Sequence, residues 1–223
     1  MSIISFIFGA SLASFIASYS YRLATNQPLM FPRSYCDNCR LPLCWWQLIP
    51  ILSFVILHGQ CFYCKQKINF YLPLIELLSG TAFAILIIYD PLHDAIIIIF
   101  LTCLIFLAST DFFAQIIYPY CLIGLFPVAF LSVPQDYLSN FASACILAIS
   151  LLLFTALTKT LGNGDIEFLF IICLIWGWQQ TLLIIQISSL IMLVCFVTTH
   201  KAKLPFIPAL AFTTFLSIFI QGC

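Results

Sequence analysis

The chain has 223 residues, 63% hydrophobic and 7% charged, with a mean hydropathy of +1.14. A soluble domain carries about 25% charged residues, so the composition excludes an ordinary soluble globule and indicates an all-α polytopic membrane protein of about eight spans. Eight Lys and Arg balance eight Asp and Glu, and a net charge of zero gives no support for a nucleic-acid partner.

The first apolar run, 2–21, lacks a basic segment ahead of it and a small-residue cleavage site before Tyr21-Arg22, and reads as a retained first span rather than a signal peptide. Gly9, Ala10, Ser11, Ala13, Ser14 and Ala17 give it a face of small side chains suited to close helix contact. Residues 22–71 form the one substantial polar segment. Beyond it, runs 72–89, 95–110, 116–133, 140–158, 166–178, 181–199 and 206–221 reach or approach the ~20 residues that cross a bilayer. Run 166–178 is short, holds Trp176, Gly177 and Trp178, and reads as a tilted or partial span.

Basic residues set the orientation. Arg22, Arg33, Arg40, Lys65 and Lys67 lie in the first polar loop, Lys159 precedes Gly162, and Lys201 and Lys203 precede the last run. With eight spans and the N-terminus outside, all of them fall on the cytoplasmic side, and the opposite loops (90–94, 134–137, 179–180) hold none. Asp111, at the end of the third span, and Asp165, at the start of the sixth, then share the cytoplasmic face. Asp90, Asp94 and Asp136 map to the other. An isolated acid beside an apolar run is ordinarily a solvated helix end; two on one face form a candidate pair.

Inside the polar segment stand Cys36-Asp37-Asn38-Cys39 and Cys61-Phe62-Tyr63-Cys64. Two residues between cysteines let both sulfurs turn onto one ion, and two such knuckles complete a tetrahedral site. The alternatives are disulfides or free thiols, and a reducing cytoplasm disfavours disulfides. Four filled positions predict a closed, structural zinc held by Cys36, Cys39, Cys61 and Cys64, stapling a loop with little core of its own. Cys44 falls outside the spacing, and the remaining cysteines sit singly in apolar runs as small hydrophobes. Glu76, one turn into the second span, is either an interfacial acid or a polar group facing the bundle interior as support for the site.

Taken in order, several stretches resemble the bacterial type IV prepilin leader peptidases, including the branch that processes competence pseudopilins. They are Gly9-Ala10-Ser11-Leu12-Ala13-Ser14-Phe15 with Tyr21-Arg22-Leu23, the two Cys pairs with Trp46 and Ile49-Pro50 between them, Pro73-Leu74-Ile75-Glu76-Leu77, Asp111, and Gly162-Asn163-Gly164-Asp165. The resemblance extends over nearly the whole chain. It implies a GxGD-type membrane aspartyl protease with Asp111 and Asp165 as the catalytic aspartates and Gly162 and Gly164 in the active-site loop. It also implies cleavage after the glycine of a short basic leader on prepilin or pseudopilin substrates. Some members N-methylate the new terminus with S-adenosylmethionine. The family commonly follows its first catalytic Asp with a segment ending in Leu-Pro-Asp, where this chain has Ile116-Ile117-Tyr118-Pro119. It often has Lys two residues after the second, where this chain has Glu167. Neither departure removes a carboxylate. The expected division is 1–21 as first span, 22–71 as zinc loop and 72–223 as protease domain.

Hydrolysis by two carboxylates needs one ionised and one protonated, sharing a water. Gly162 and Gly164 would allow close backbone approach and positive φ. Lys159 would repel a basic leader, while Glu167, Glu76 and Asp37 would attract one. His58, His93 and His200 are scattered over both faces, which disfavours a Ser-His or His-metal site. Two readings of other classes compete: a cation- or proton-coupled transporter, since membrane acids relay protons, and a non-catalytic assembly factor that docks a partner through its zinc loop. A transporter predicts acids near mid-membrane, and an assembly factor tolerates Asp111→Asn.

Overall fold

The computed structural model describes residues 2–28, 33–87, 90–127, 137–158, 162–199 and 204–221. Lys159, Leu161, His200, Lys201, Lys203, Asp136 and residues 128–133 of run 116–133 lie outside the described residues. Among those described, regular structure is helical apart from two isolated antiparallel bridges. Ser2–Ala24, Pro91–Ala114, Leu138–Thr158 and Asn163–Thr198 are long and apolar enough to cross a membrane, and Tyr71–Leu86 and Ile207–Ser217 are shorter apolar helices. This is the helical, membrane-type architecture that the composition demands. The chain forms two compact units, Met1–Ser109 and Thr110–Cys223.

The first unit contains α1 (Ser2–Ala24), a 3-10 helix (Trp45–Leu48), α2 (Leu52–Ile56), α3 (Tyr71–Leu86) and most of α4 (Pro91–Ala114). α1 packs on α3 through its small residues: Gly9, Ala10, Ala13 and Ala17 are buried at helical spacing, while Ser11 falls on the exposed side. Two reciprocal Gly-Phe contacts set the approach. A Cβ on Gly9 would stand 2.7 Å from the Phe83 ring, and one on Gly80 would stand 2.8 Å from the Phe6 ring. Across the same seam the Ser79 hydroxyl donates to the Gly9 carbonyl at 3.1 Å, the kind of interhelical bond that substitutes for a hydrophobic driving force in lipid.

The second unit holds the end of α4, then α5 (Pro119–Ile123), α6 (Tyr137–Thr158), α7 (Asn163–Thr199) and α8 (Ile207–Gln221). α7 is its centre, packing on both α6 and α8 and touching α5. Here the structure departs from the run-by-run expectation in two places. Over 116–127 there is no continuous span: the chain is non-helical at 115–118, and α5 lasts five residues from Pro119 to a cap at Gly124. Pro119 has no N–H for a preceding turn and serves at the first position of a helix instead. The other departure concerns runs 166–178 and 181–199, which are limbs of one element without a loop at Gln179-Gln180. The break is at Gly177, with φ 75° and ψ 174°. Unbroken, the 37 residues of α7 would be about 55 Å long, well beyond the ~30 Å of a hydrocarbon core. Only glycine takes that backbone without strain, and a Cβ there would sit 2.9 Å from Asn140 Oδ1.

Candidate active site and metal centre

The two Cys pairs fold as near copies of one another. In each, the first cysteine's N–H donates to the carbonyl five residues on (Cys36 to Leu41, 3.0 Å; Cys61 to Gln66, 2.8 Å). The residue four on donates back to that cysteine's carbonyl (Arg40, 2.9 Å; Lys65, 3.1 Å). An antiparallel bridge closes each turn, Tyr35 with Pro42 and Gln60 with Lys67. To make the turn, Arg40 and Lys65 adopt left-handed backbone, φ 60° and 58°. Trp46 packs edge-on against Phe62 between the knuckles, centroids 5.7 Å apart.

All four sulfurs lie within 4.8 Å of one another, and Cys36 Sγ is 3.8 Å from Cys64 Sγ. Zinc–sulfur bonds of ~2.3 Å in a tetrahedron place sulfurs about 3.8 Å apart, whereas a disulfide needs about 2.05 Å. The donor set and its dimensions therefore fit a tetrahedral metal and not a pair of disulfides. The Gln66 backbone N–H draws the Cys64 thiol down to about 6, while burial pushes the Cys36 thiol up to about 11. Cys44 is exposed and stands apart, its sulfur 3.6 Å from the Tyr63 hydroxyl.

Glu76 is buried in α3 and does not reach out to solvent. Its Oε2 accepts the Ile51 N–H at 2.7 Å, and the Ser14 side chain on α1 also hydrogen-bonds it. It thus joins α1, α3 and the polar segment within the first unit. Sequence reading left an interfacial acid and an inward-facing polar group as alternatives, and had no means of finding Ile51 as its partner.

In the second unit both aspartates are held at helix N-termini. Asp165 is in the first turn of α7, its N–H donating to the Gly162 carbonyl at 3.2 Å and its Oδ2 accepting the Gly162 N–H at 3.3 Å. This is half of a capping box. Asp111 lies in the last turn of α4, 7% exposed, and its Oδ2 accepts the Ile207 N–H that opens α8 at 2.9 Å. The positive end of a helix dipole favours a carboxylate at either place. Asp165 lies near enough for its charge to be felt at Asp111.

The glycines act differently from expectation. Neither Gly162 nor Gly164 has positive φ; among the described glycines only Gly59 and Gly177 do. Gly164 is needed because Ile117 presses on it: a Cβ there would meet Ile117 at 2.5 Å. A Cβ on Gly162 would meet Asp165 Oδ2 at 3.3 Å. The segment after Asp111 is thereby seated against the residue before Asp165, and Gln115 takes a left-handed φ of 54° to bring it there. Sequence reading had no signal for Ile207, and Ile117 entered it only as part of a departure. Glu167 is exposed.

A helical membrane protein with two acids held by backbone N–H groups at helix starts, and with a four-thiol centre, is the class that fold and site define. Comparison with known proteins supplies the family. Residues 7–89 match the bacterial peptidase A24 N-terminal domain and residues 98–197 match the type IV leader peptidase family. The chain is 31% identical over 222 residues to the prepilin leader peptidase/N-methyltransferase of Bacillus subtilis strain 168, covering 93% of this chain and 90% of that protein. To the protein of the same name in Neisseria gonorrhoeae it is 32% identical over 188 residues, covering 78% of this chain and 65% of that one. To that of Legionella pneumophila it is 26% identical over 179 residues, covering 73% and 61%. No solved structure matches. The chain belongs to the type IV leader peptidase family.

Proposed function

We propose that this protein is an aspartic endopeptidase that removes the short leader from prepilins or pseudopilins, with Asp111 and Asp165 as its catalytic pair. The observation that carries the assignment to these two residues is their arrangement. Two carboxylates from distant parts of the chain are each held by a backbone N–H at a helix start, and the Asp165 charge reaches Asp111.

Like charges at short range favour one proton shared over the pair. The ionised carboxylate takes a proton from water as the water oxygen attacks the scissile carbonyl carbon. The protonated partner gives its proton to the carbonyl oxygen. Collapse of the tetrahedral species breaks the C–N bond, and the leaving amine takes up a proton from the pair. The backbone N–H groups of Ile207 and Gly162 orient the two side chains throughout, and Gly164 with Ile117 holds the two segments in register.

Zinc is the proposed occupant of Cys36, Cys39, Cys61 and Cys64. With four thiolates it has no open position for water, so it holds the loop and takes no part in hydrolysis. The division into span, zinc loop (22–71) and protease domain (72–223), the count of eight spans, the cytoplasmic membrane and a cytoplasm-facing site belong to the same reading. The basic residues support that orientation, and Glu76 is its polar support in the first unit. Methyl transfer from S-adenosylmethionine is a second proposed activity; it rests on the relatives' names rather than on any residue of the site. Co-expression with a candidate prepilin tests the reading: mass spectrometry follows loss of the leader and, in the same spectrum, gain of a methyl group. An unprocessed prepilin overturns it. Reporter fusions at 92 and 112 should read outside and inside respectively.

A further inference from the structure

The polar segment between α1 and α3 carries an apolar face that its own packing leaves uncovered. In the 3-10 helix, residues three apart eclipse, and Trp45 and Leu48 are 79% and 48% exposed while Gln47 is buried and Trp46 packs on Phe62. In the neighbouring α2, Leu52, Val55 and Ile56 fall on one side by the i, i+3, i+4 rule and are 51–62% exposed. Phe54 points the other way, onto Phe70 at 6.1 Å. Each short helix thus has an inner side with partners and an outer side of large apolar groups.

The depth of this face comes from Glu76. The residue joining the two short helices, Ile51, donates its N–H to Glu76, five residues into α3 and so ~7.5 Å along its axis. α3 has 16 residues, about 24 Å, most of the ~30 Å apolar layer; read as a span, it has its first turns near one boundary of that layer. The backbone at Ile51 takes φ 61° to dock there, a conformation that a β-branched residue adopts only when its surroundings demand it. Residues 45–56 consequently run beside the start of a span rather than out in solvent.

Charge selects the occupant. Residues 22–71 hold five Lys and Arg against the single acid Asp37, a net charge of +4 from these side chains, and the loop stays positive, at +2, when a zinc with four thiolates is counted. Such a loop repels a basic leader and a second copy of itself, and is drawn to anionic lipid by ~1 kcal/mol per basic residue near the surface. Tryptophan and aliphatic side chains beside basic ones are the composition of an interfacial helix.

We propose that Trp45, Leu48, Leu52, Val55 and Ile56 lie in the interface of the protein's own bilayer, with the basic residues of the loop on anionic headgroups, so that the zinc loop is a membrane-surface element. The inference rests on the membrane-spanning reading and is independent of the peptidase assignment. The test uses the full chain carrying Val55→p-benzoylphenylalanine, in vesicles of equal parts phosphatidylethanolamine and phosphatidylglycerol with a prepilin substrate present. Irradiation should give a lipid adduct, resolved by mass spectrometry. An adduct with prepilin or with a second copy, or no adduct at all, overturns the proposal. A second measurement does not depend on that variant: in brominated-lipid vesicles the Trp45→Phe chain should show a smaller lipid-quenched share of tryptophan emission than the unaltered chain. An unchanged share overturns the proposal equally.

Discussion

The cysteine centre and the aspartate pair are built in opposite ways. Each half of the cysteine centre is a short turn that closes on itself, with the same hydrogen bonds at the same offsets and a left-handed residue at the same step. Only the meeting of the two turns is a tertiary event. Asp111 and Asp165, by contrast, have almost nothing local to define them. Asp111 takes its orientation from an N–H 96 residues away, and Gly164 takes its necessity from Ile117. A four-cysteine centre made of self-closing turns tolerates change around it, whereas a pair assembled from helix ends depends on everything that sets those ends.

The largest effect expected is on chemistry. Asp111→Asn and Asp165→Asn should each lower leader cleavage by about 10⁴-fold, the scale of losing one member of a catalytic set. The Asn oxygen can still accept the Ile207 or Gly162 N–H, so membrane levels should hold. Appreciable cleavage by either variant in the co-expression assay removes the pair from the mechanism.

Next in size is loss of metal. Cys61→Ser should take zinc from one per chain toward none by elemental analysis, since structural zinc contributes on the order of 10 kcal/mol to such folds. Limited proteolysis should then cut 33–70 while leaving α7 intact, and cleavage should fall less than in the Asp variants. Equal sensitivity of α7 would mean that the two regions are not independent.

Gly164→Ala asks whether the aspartate site is as context-dependent as its contacts indicate. Crowding Ile117 should cost about 1–3 kcal/mol, read as roughly tenfold slower cleavage, with partial recovery in Gly164→Ala/Ile117→Ala. A double variant no better than the single one breaks the proposed contact.

The smallest effect is in the knuckles. Left-handed backbone costs a non-glycine residue ~1–2 kcal/mol. The Lys65 ammonium lies 5.7 Å from the Phe62 ring centroid, a contact returning ~0.5–1 kcal/mol at an exposed site. Lys65→Gly should therefore retain zinc slightly better against a chelator, by about 0–1.5 kcal/mol net. Weaker retention would show that the lysine contributes more than its ring contact.

Much of this was legible in the chain before folding. Charge depletion set a helical membrane class because backbone amides in lipid must bond within their own segment. The two Cys-x-x-Cys pairs announced a four-thiol cluster because the turns they need are local. Small residues on α1 announced a packing face, since helical spacing alone decides which side they share.

Other features became visible only with the fold. The isolated carboxylates could be named, but not the amides that hold them. The glycines before Asp165 were expected to give both close approach and positive φ; the positive φ is absent, and Gly164 provides room for Ile117. The two runs of α7 were visible as apolar stretches, while the break was placed two residues late, because Gln179-Gln180 is polar and Gly177 is the residue able to turn. What the sequence by itself determined is whatever depends on composition, period or short spacing: class, most helices and the two cysteine turns. What the tertiary structure decided is every contact between residues far apart along the chain, Ile207 to Asp111 and Ile51 to Glu76 among them. A backbone N–H looks the same at every position until packing chooses its acceptor.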